Sequence, residues 1–190
     1  MVTYAPHFIS TVVICGMILL FTNKSSGMIN HLIAFFGLNR IEFLSDPKWF
    51  KTIYVLSGVW QNAGWGTIIY LAVLSGVSPE LVEAARIDGA GRLRIIWHIN
   101  IPHIIPTIII LFILNCGSLL SLGFEKVWLL QNPLNMDASE VISTYIYKVG
   151  LQGAQFSYST AIGLFNTMVN LILLVSVNTI LSKLSETSLW

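Results

Sequence analysis

Within otherwise apolar stretches of this 190-residue chain stand neutral polar and indole groups, among them Trp60, Gln61, Trp65, Asn115, Asn166 and Asn170. Amides exchange hydrogen bonds with hydroxyls as both donor and acceptor, and an indole face can stack on a sugar ring. Gln61 and Trp65 are four residues apart, as are Asn166 and Asn170, so each pair shares a helix face. Such a set could line a path for an uncharged polyhydroxyl solute. It could equally act as helix–helix glue, because interhelical amide bonds and small residues hold membrane bundles together. Gly58, Gly64 and Gly66 would let a neighbouring helix approach closely. On the residues alone, both readings stand.

Other chemistries find no support. Ile53–Leu74, Ile104–Leu122 and Ser157–Leu181 contain no Asp, Glu, Lys, Arg or His. Ion-coupled carriers and proton pumps place ionisable groups in mid-membrane, so any uphill transport here would draw its energy from elsewhere. His7, His98 and His103 do not cluster with carboxylates or cysteines and read as interfacial or packing residues. Cys15 and Cys116 lie in apolar runs and read as buried free thiols, with no disulfide framework or metal site. No GxxxxGK[ST] loop for phosphate occurs. A net charge of +1 leaves no electrostatic footprint for nucleic acid.

The elements that must position these residues belong in a bilayer. Apolar residues make up 55% of the chain and charged residues 10%, and the mean hydropathy is +0.75. Four apolar blocks stand out: Pro6–Phe21, Ile53–Leu74, Ile104–Leu122 and Ser157–Leu181. As helices rising ~1.5 Å per residue the last three cover about 28–37 Å, matching a hydrocarbon core of ~30 Å. The first is marginal in length. A signal peptide is the rival reading, disfavoured because no Lys or Arg precedes Lys24 and no small-residue cleavage site follows. Four spans place both termini on one side. Lys and Arg are too evenly shared between Asn23–Thr52 and Ser75–His103 to orient the chain. Met28–Leu38 is an apolar stretch suited to the interface, and Gly123–Phe156 reads as a long polar and aromatic loop.

The polar segment Ser78–Pro106 is the most informative. Ser78 reads as an N-cap with Pro79 at N1, where a missing N–H costs nothing. Glu80 and Glu83 fall near the positive end of the helix dipole. Leu81, Ala84 and Ala85 form a stripe that admits a close partner. Asp88-Gly89 is a stop signal, because glycine takes the left-handed conformation freely. A second short helix is expected around Arg92–Ile99, interrupted by Pro102, giving a bent pair of short helices outside the bilayer.

These residues also resemble a family signature. Glu83-Ala84-Ala85, Asp88-Gly89-Ala90, Ile99-Asn100-Ile101-Pro102 and Pro106 match, at fixed spacing, the Glu-Ala-Ala motif of permease subunits of binding-protein-dependent ABC importers. Ile101 stands where leucine is commoner, a volume-conserving change. The segments from Tyr4 to Ser10 and from Asp46 to Phe50, Trp60 with Gly64-Trp65-Gly66, Gly123–Val127, Asn132–Leu134 and Gln155–Ser159 are similar to the oligosaccharide and polysaccharide subgroup. The resemblance implies an all-α membrane protein, with one permease domain over residues 1–190 and a coupling-helix loop over 76–103. It corresponds to the C-terminal two-thirds of a six-helix subunit in which two further helices would precede Tyr4. Glu83, Ala84, Ala85, Asp88, Gly89, Ile99 and Pro102 would couple to a separate cytoplasmic ATP-binding subunit. No cofactor is implied in this chain, since ATP is bound by that subunit. Its other partners would be a second permease subunit, an extracytoplasmic solute-binding protein and the lipid bilayer. Placement would be multi-pass in a bacterial cell membrane with both termini cytoplasmic, and the cargo a carbohydrate. The alternatives are a fragment that is inactive or partner-dependent, and an ion-coupled transporter or channel.

Overall fold

The computed structural model describes residues 3–184. In chain order the helices are α1 Thr11–Thr22, α2 Met28–Phe35, α3 Pro47–Leu74, α4 Pro79–Ile87, α5 Arg92–Gly117, α6 Phe124–Leu130, α7 Met136–Ser139, α8 Ile142–Tyr147 and α9 Phe156–Leu184. A 3₁₀ turn, Ala5–Phe8, precedes them, and α8 continues into a wider π turn over Lys148–Gln152. The described residues contain no strand. Two helices, α5 and α9, are each long and apolar enough to cross a bilayer, and α3 qualifies together with α4, from which it is bent by 77°.

Three of the expected spans differ in extent, the second beginning at Pro47 rather than Ile53. The first is not one helix over Pro6–Phe21. Ser10 is extended and its hydroxyl accepts the Val13 N–H at 3.4 Å, so α1 starts at Thr11 and covers only 12 residues, about 18 Å. The third does not start at Ile104, because Pro102 fails to interrupt the helix. A π turn over Ile96–Asn100 widens the ladder just before it, with the Ile101 N–H reaching the Ile96 carbonyl, and the proline follows in the next turn. The expected second short helix is therefore the beginning of α5, which runs unbroken for 26 residues and ends at Gly117, short of Leu122.

The described chain divides into two compact units, 3–65 with 121–165 and 66–120 with 166–184. In the first, Cys15, Phe50, Val127 and Leu130 form a core. Its connecting loops are folded rather than loose, and buried asparagines fix them. Asn30 is fully buried: it accepts the Ile41 N–H at 2.8 Å and donates towards the carbonyls of Thr22, Asn23 and Ile41. Asn135, also fully buried, donates to the carbonyls of Leu44 and Leu130, while Asn132 donates to Leu44 as well. Each bond satisfies a backbone group that would otherwise be costly to bury. Gly27 is required here, since a Cβ would run into the carbonyls of Phe21 and Asn23. In the second unit Ile113 is fully buried, and Gly117 lets the Leu174 side chain come within 2.5 Å of where a Cβ would stand.

Candidate functional site

The matched signature forms an elbow in the second unit. Pro79 opens α4 as expected, but the Ser78 hydroxyl makes no capping bond; its carbonyl accepts the Leu81 N–H at 3.2 Å. With φ fixed by Pro79 and Glu80 in the first turn, the helix start does not need the hydroxyl. The other end follows from Gly89, whose φ of +77° places it in the left-handed region. The Gly89 N–H bonds the Arg86 carbonyl at 3.0 Å and the Ala90 N–H bonds that of Ala85 at 2.9 Å, closing the last turn with both bonds of a Schellman motif. A side chain at Gly89 would meet open space, so the cost of replacing it is in the backbone alone.

No residue of α4 is buried. Glu83 and Ala84 are exposed, and Ile87 is 87% exposed. Ala85, Asp88 and Ile99 come together, lining with Arg94, Ile95 and His98 a cavity of about 240 Å³ in the angle of the elbow. Pro102 lies three residues beyond Ile99, exposed on α5. Ile95, not singled out from the sequence, is the buried anchor of this corner; its spacing of four from Ile99 is the signal that could have found it. The His98 Nδ1 donates to the Arg94 carbonyl at 3.0 Å.

The other polar candidates are placed separately in the two units. In the first, Trp65 stacks on His7 with ring centroids 4.3 Å apart, Asn62 bonds His7 at 3.2 Å, and Gln61 donates to the Ile9 carbonyl at 3.2 Å. Trp60 is half exposed and lines a groove of about 330 Å³ with Ile14, Met17 and Leu56. Gly64 abuts the Thr3 carbonyl, whereas Gly66 faces open space, so only part of the expected glycine contact is made. In the second unit Asn115 is exposed and donates to Leu111 within its own helix at 2.8 Å. Asn170 is buried and accepts the Leu120 N–H at 3.3 Å, while the Asn166 Oδ1 is buried without a partner. Gln61, Trp65 and Asn170 therefore have contacts within the protein, and among these candidates Asn166 keeps a buried acceptor unused.

Both cysteines are free thiols; Cys15 is buried and Cys116 only half-buried. Among the described residues no three His, Cys, Asp or Glu side chains group as metal ligands. Lys126, missed by the sequence reading, is almost fully buried in the first unit. It donates to the Tyr54 carbonyl at 3.2 Å and lies 5.1 Å from the centre of that ring. Burial pushes its ammonium below the ordinary value of 10.5.

An exposed elbow leading directly into a membrane-length helix is the arrangement to compare with known proteins. The family model of the binding-protein-dependent transport system inner membrane component matches residues 1–185. The chain belongs to this family. Members of this family are inner membrane components of transport systems. The polygalacturonan/rhamnogalacturonan transport system permease protein YteP of Bacillus subtilis (strain 168) is 46% identical over 98% of this chain and 58% of its own length. Protein LplB of the same organism is 43% identical over 98% and 59%. Among solved structures, a chain of a bacterial alginate ABC transporter, in complex with an alginate pentasaccharide-bound periplasmic protein, superposes with a TM-score of 0.94 at 40% identity. That match covers 98% of this permease-family chain and 65% of the other. The chain thus spans about three-fifths of the length of these relatives.

Proposed function

We propose that this chain forms the membrane-spanning permease of an ATP-driven ABC importer of carbohydrate, coupled to a separate ATPase through the elbow at Glu83–Pro102. The observation that carries the reading is the exposed α4, closed by Gly89 and joined to a helix that continues unbroken to Gly117. A force applied to α4 passes through the Gly89–Gly91 turn and the π turn at Ile96–Asn100 into the rest of α5.

Glu83 offers a charge to a basic groove on cytoplasmic ATP-binding subunits, and Ala84 allows close approach. Ala85, Asp88 and Ile99 keep the elbow angle, Gly89 makes its turn, and Pro102 follows the π turn on α5. Closure of two ATPases would move the elbows of this chain and of a second permease subunit together, switching the bundle between two packings. An extracytoplasmic binding protein would deliver the solute. The elbow and both termini face the cytoplasm; α3, α5 and α9 cross the bilayer, and the broken segment 5–22 completes a fourth crossing. Trp60 and Asn166, the candidates with an exposed ring and an unused acceptor, are the first places to seek solute contact.

The test is Gly89→Val in the reconstituted transporter. Forcing a β-branched residue into the left-handed region costs roughly 1–2 kcal/mol. ATPase stimulation by loaded binding protein should fall about tenfold while membrane insertion is unchanged. Full stimulation in this variant contradicts the coupling role.

A further inference from the structure

The first turns of α5 carry side chains that the coupling role leaves without a task. Arg92, Leu93, Arg94, Trp97 and His98, with Gly91, line an open concavity of about 560 Å³. Leu93 and Trp97 are 73% and 66% exposed, four residues apart on one face. Among the described residues neither Arg92 nor Arg94 has a carboxylate within salt-bridge distance. Asp88 shares the neighbouring cavity with Arg94 and His98 without pairing to either. The His98 Nδ1 is committed to the Arg94 carbonyl, which leaves Nε2 for another partner.

Length decides what surrounds this cluster. The 26 residues of α5 span about 39 Å at ~1.5 Å each, against a hydrocarbon core of ~30 Å. The excess of ~9 Å is about six residues. With Gly117 at one boundary of the core, Arg92–Trp97 emerge at the other, at the depth of the lipid headgroups. An exposed leucine and indole gain nothing from water. At that depth the indole meets the boundary where tryptophans concentrate, and Leu93 can reach acyl chains. Two unpaired guanidinium groups face the phosphates, which they can bind in bidentate fashion.

We infer that Arg92, Arg94, Trp97 and His98 form a binding site for the headgroup phosphate of anionic phospholipids, fixing the depth of α5 and hence of the elbow. The inference rests on α5 crossing the membrane, and not on the saccharide or the ATPase.

The test uses the purified protein with its subunits in nanodiscs of phosphatidylcholine containing a minor fraction of phosphatidylglycerol. Bromine is placed on the acyl chains of either lipid at equal mole fraction. Subtracting the fluorescence of Trp97→Phe from that of the parent isolates the Trp97 signal from those of the other tryptophans. Brominated phosphatidylglycerol should quench that signal about twofold or more above brominated phosphatidylcholine. Arg92→Gln with Arg94→Gln should remove the preference, and the corresponding lysine pair should retain it. Equal quenching by the two lipids overturns the proposal, leaving only apolar burial. Quenching by neither until the ATPase is stripped off also overturns it, because a protein would then cover the cluster. A lipid preference in a preparation that hydrolyses no ATP and carries no saccharide would sink the importer reading and leave this one standing.

Discussion

Asn30 and Lys126 show two ways in which a single polar side chain is buried. The Asn30 amide both donates and accepts, serving the Ile41 backbone and the end of α1 together. Asn30→Leu would leave the Ile41 N–H without its acceptor and take a donor from the Thr22 and Ile41 carbonyls, so unfolding free energy should fall by about 2–4 kcal/mol, read as a lower Tm in detergent. Lys126 is the reverse case, a buried ammonium whose described partners are one carbonyl and one ring. Lys126→Met should therefore be neutral or raise Tm, whereas Lys126→Glu should lower it, since only the second keeps a buried charge. Its pH dependence has a definite sign. The folded ammonium titrates below 10.5, so between the two values the unfolded chain binds the extra proton. Stability of the parent should accordingly rise with pH through that alkaline window, and the methionine variant should lose this rise. A pH series of thermal melts checks both.

At the scale of elements, α5 and α9 come close together where Gly117 faces Leu174. Gly117→Val would push that side chain aside and should cost about 1–3 kcal/mol, seen as a lower Tm with the elbow itself intact. Helix α4 was legible in the sequence because both of its ends are set by local chemistry, Pro79 at one and Asp88-Gly89 at the other. Pro102 misled because a proline breaks the α ladder only where the backbone cannot rearrange, and no sequence pattern announced the π turn at Ile96–Asn100. Helices α6, α7 and α8 were read as loop because seven, four and six residues are too short to show a period. Tertiary bonds of Asn132 and Asn135 hold that region, and spacing along the chain does not reveal them. Ser10, whose cap shortens α1, was a signal present but outweighed by the apolar run around it.

For the whole molecule, the central claim is that the elbow lies in the cytoplasm, where an ATPase can reach it. Lipids held at Arg92 and Arg94 would set its height, and an unbroken α5 would carry its movement into the bundle. Ile87 is the most useful reporter, being 87% exposed on α4 and beside the Gly89 turn. Ile87→Cys is labelled with a membrane-impermeant maleimide in vesicles of either sidedness, and the signal of the parent thiols Cys15 and Cys116 is subtracted. Labelling in inside-out vesicles alone, blocked when the ATPase is bound, is the predicted result. Labelling in right-side-out vesicles, or labelling from inside that the ATPase does not protect, contradicts the account.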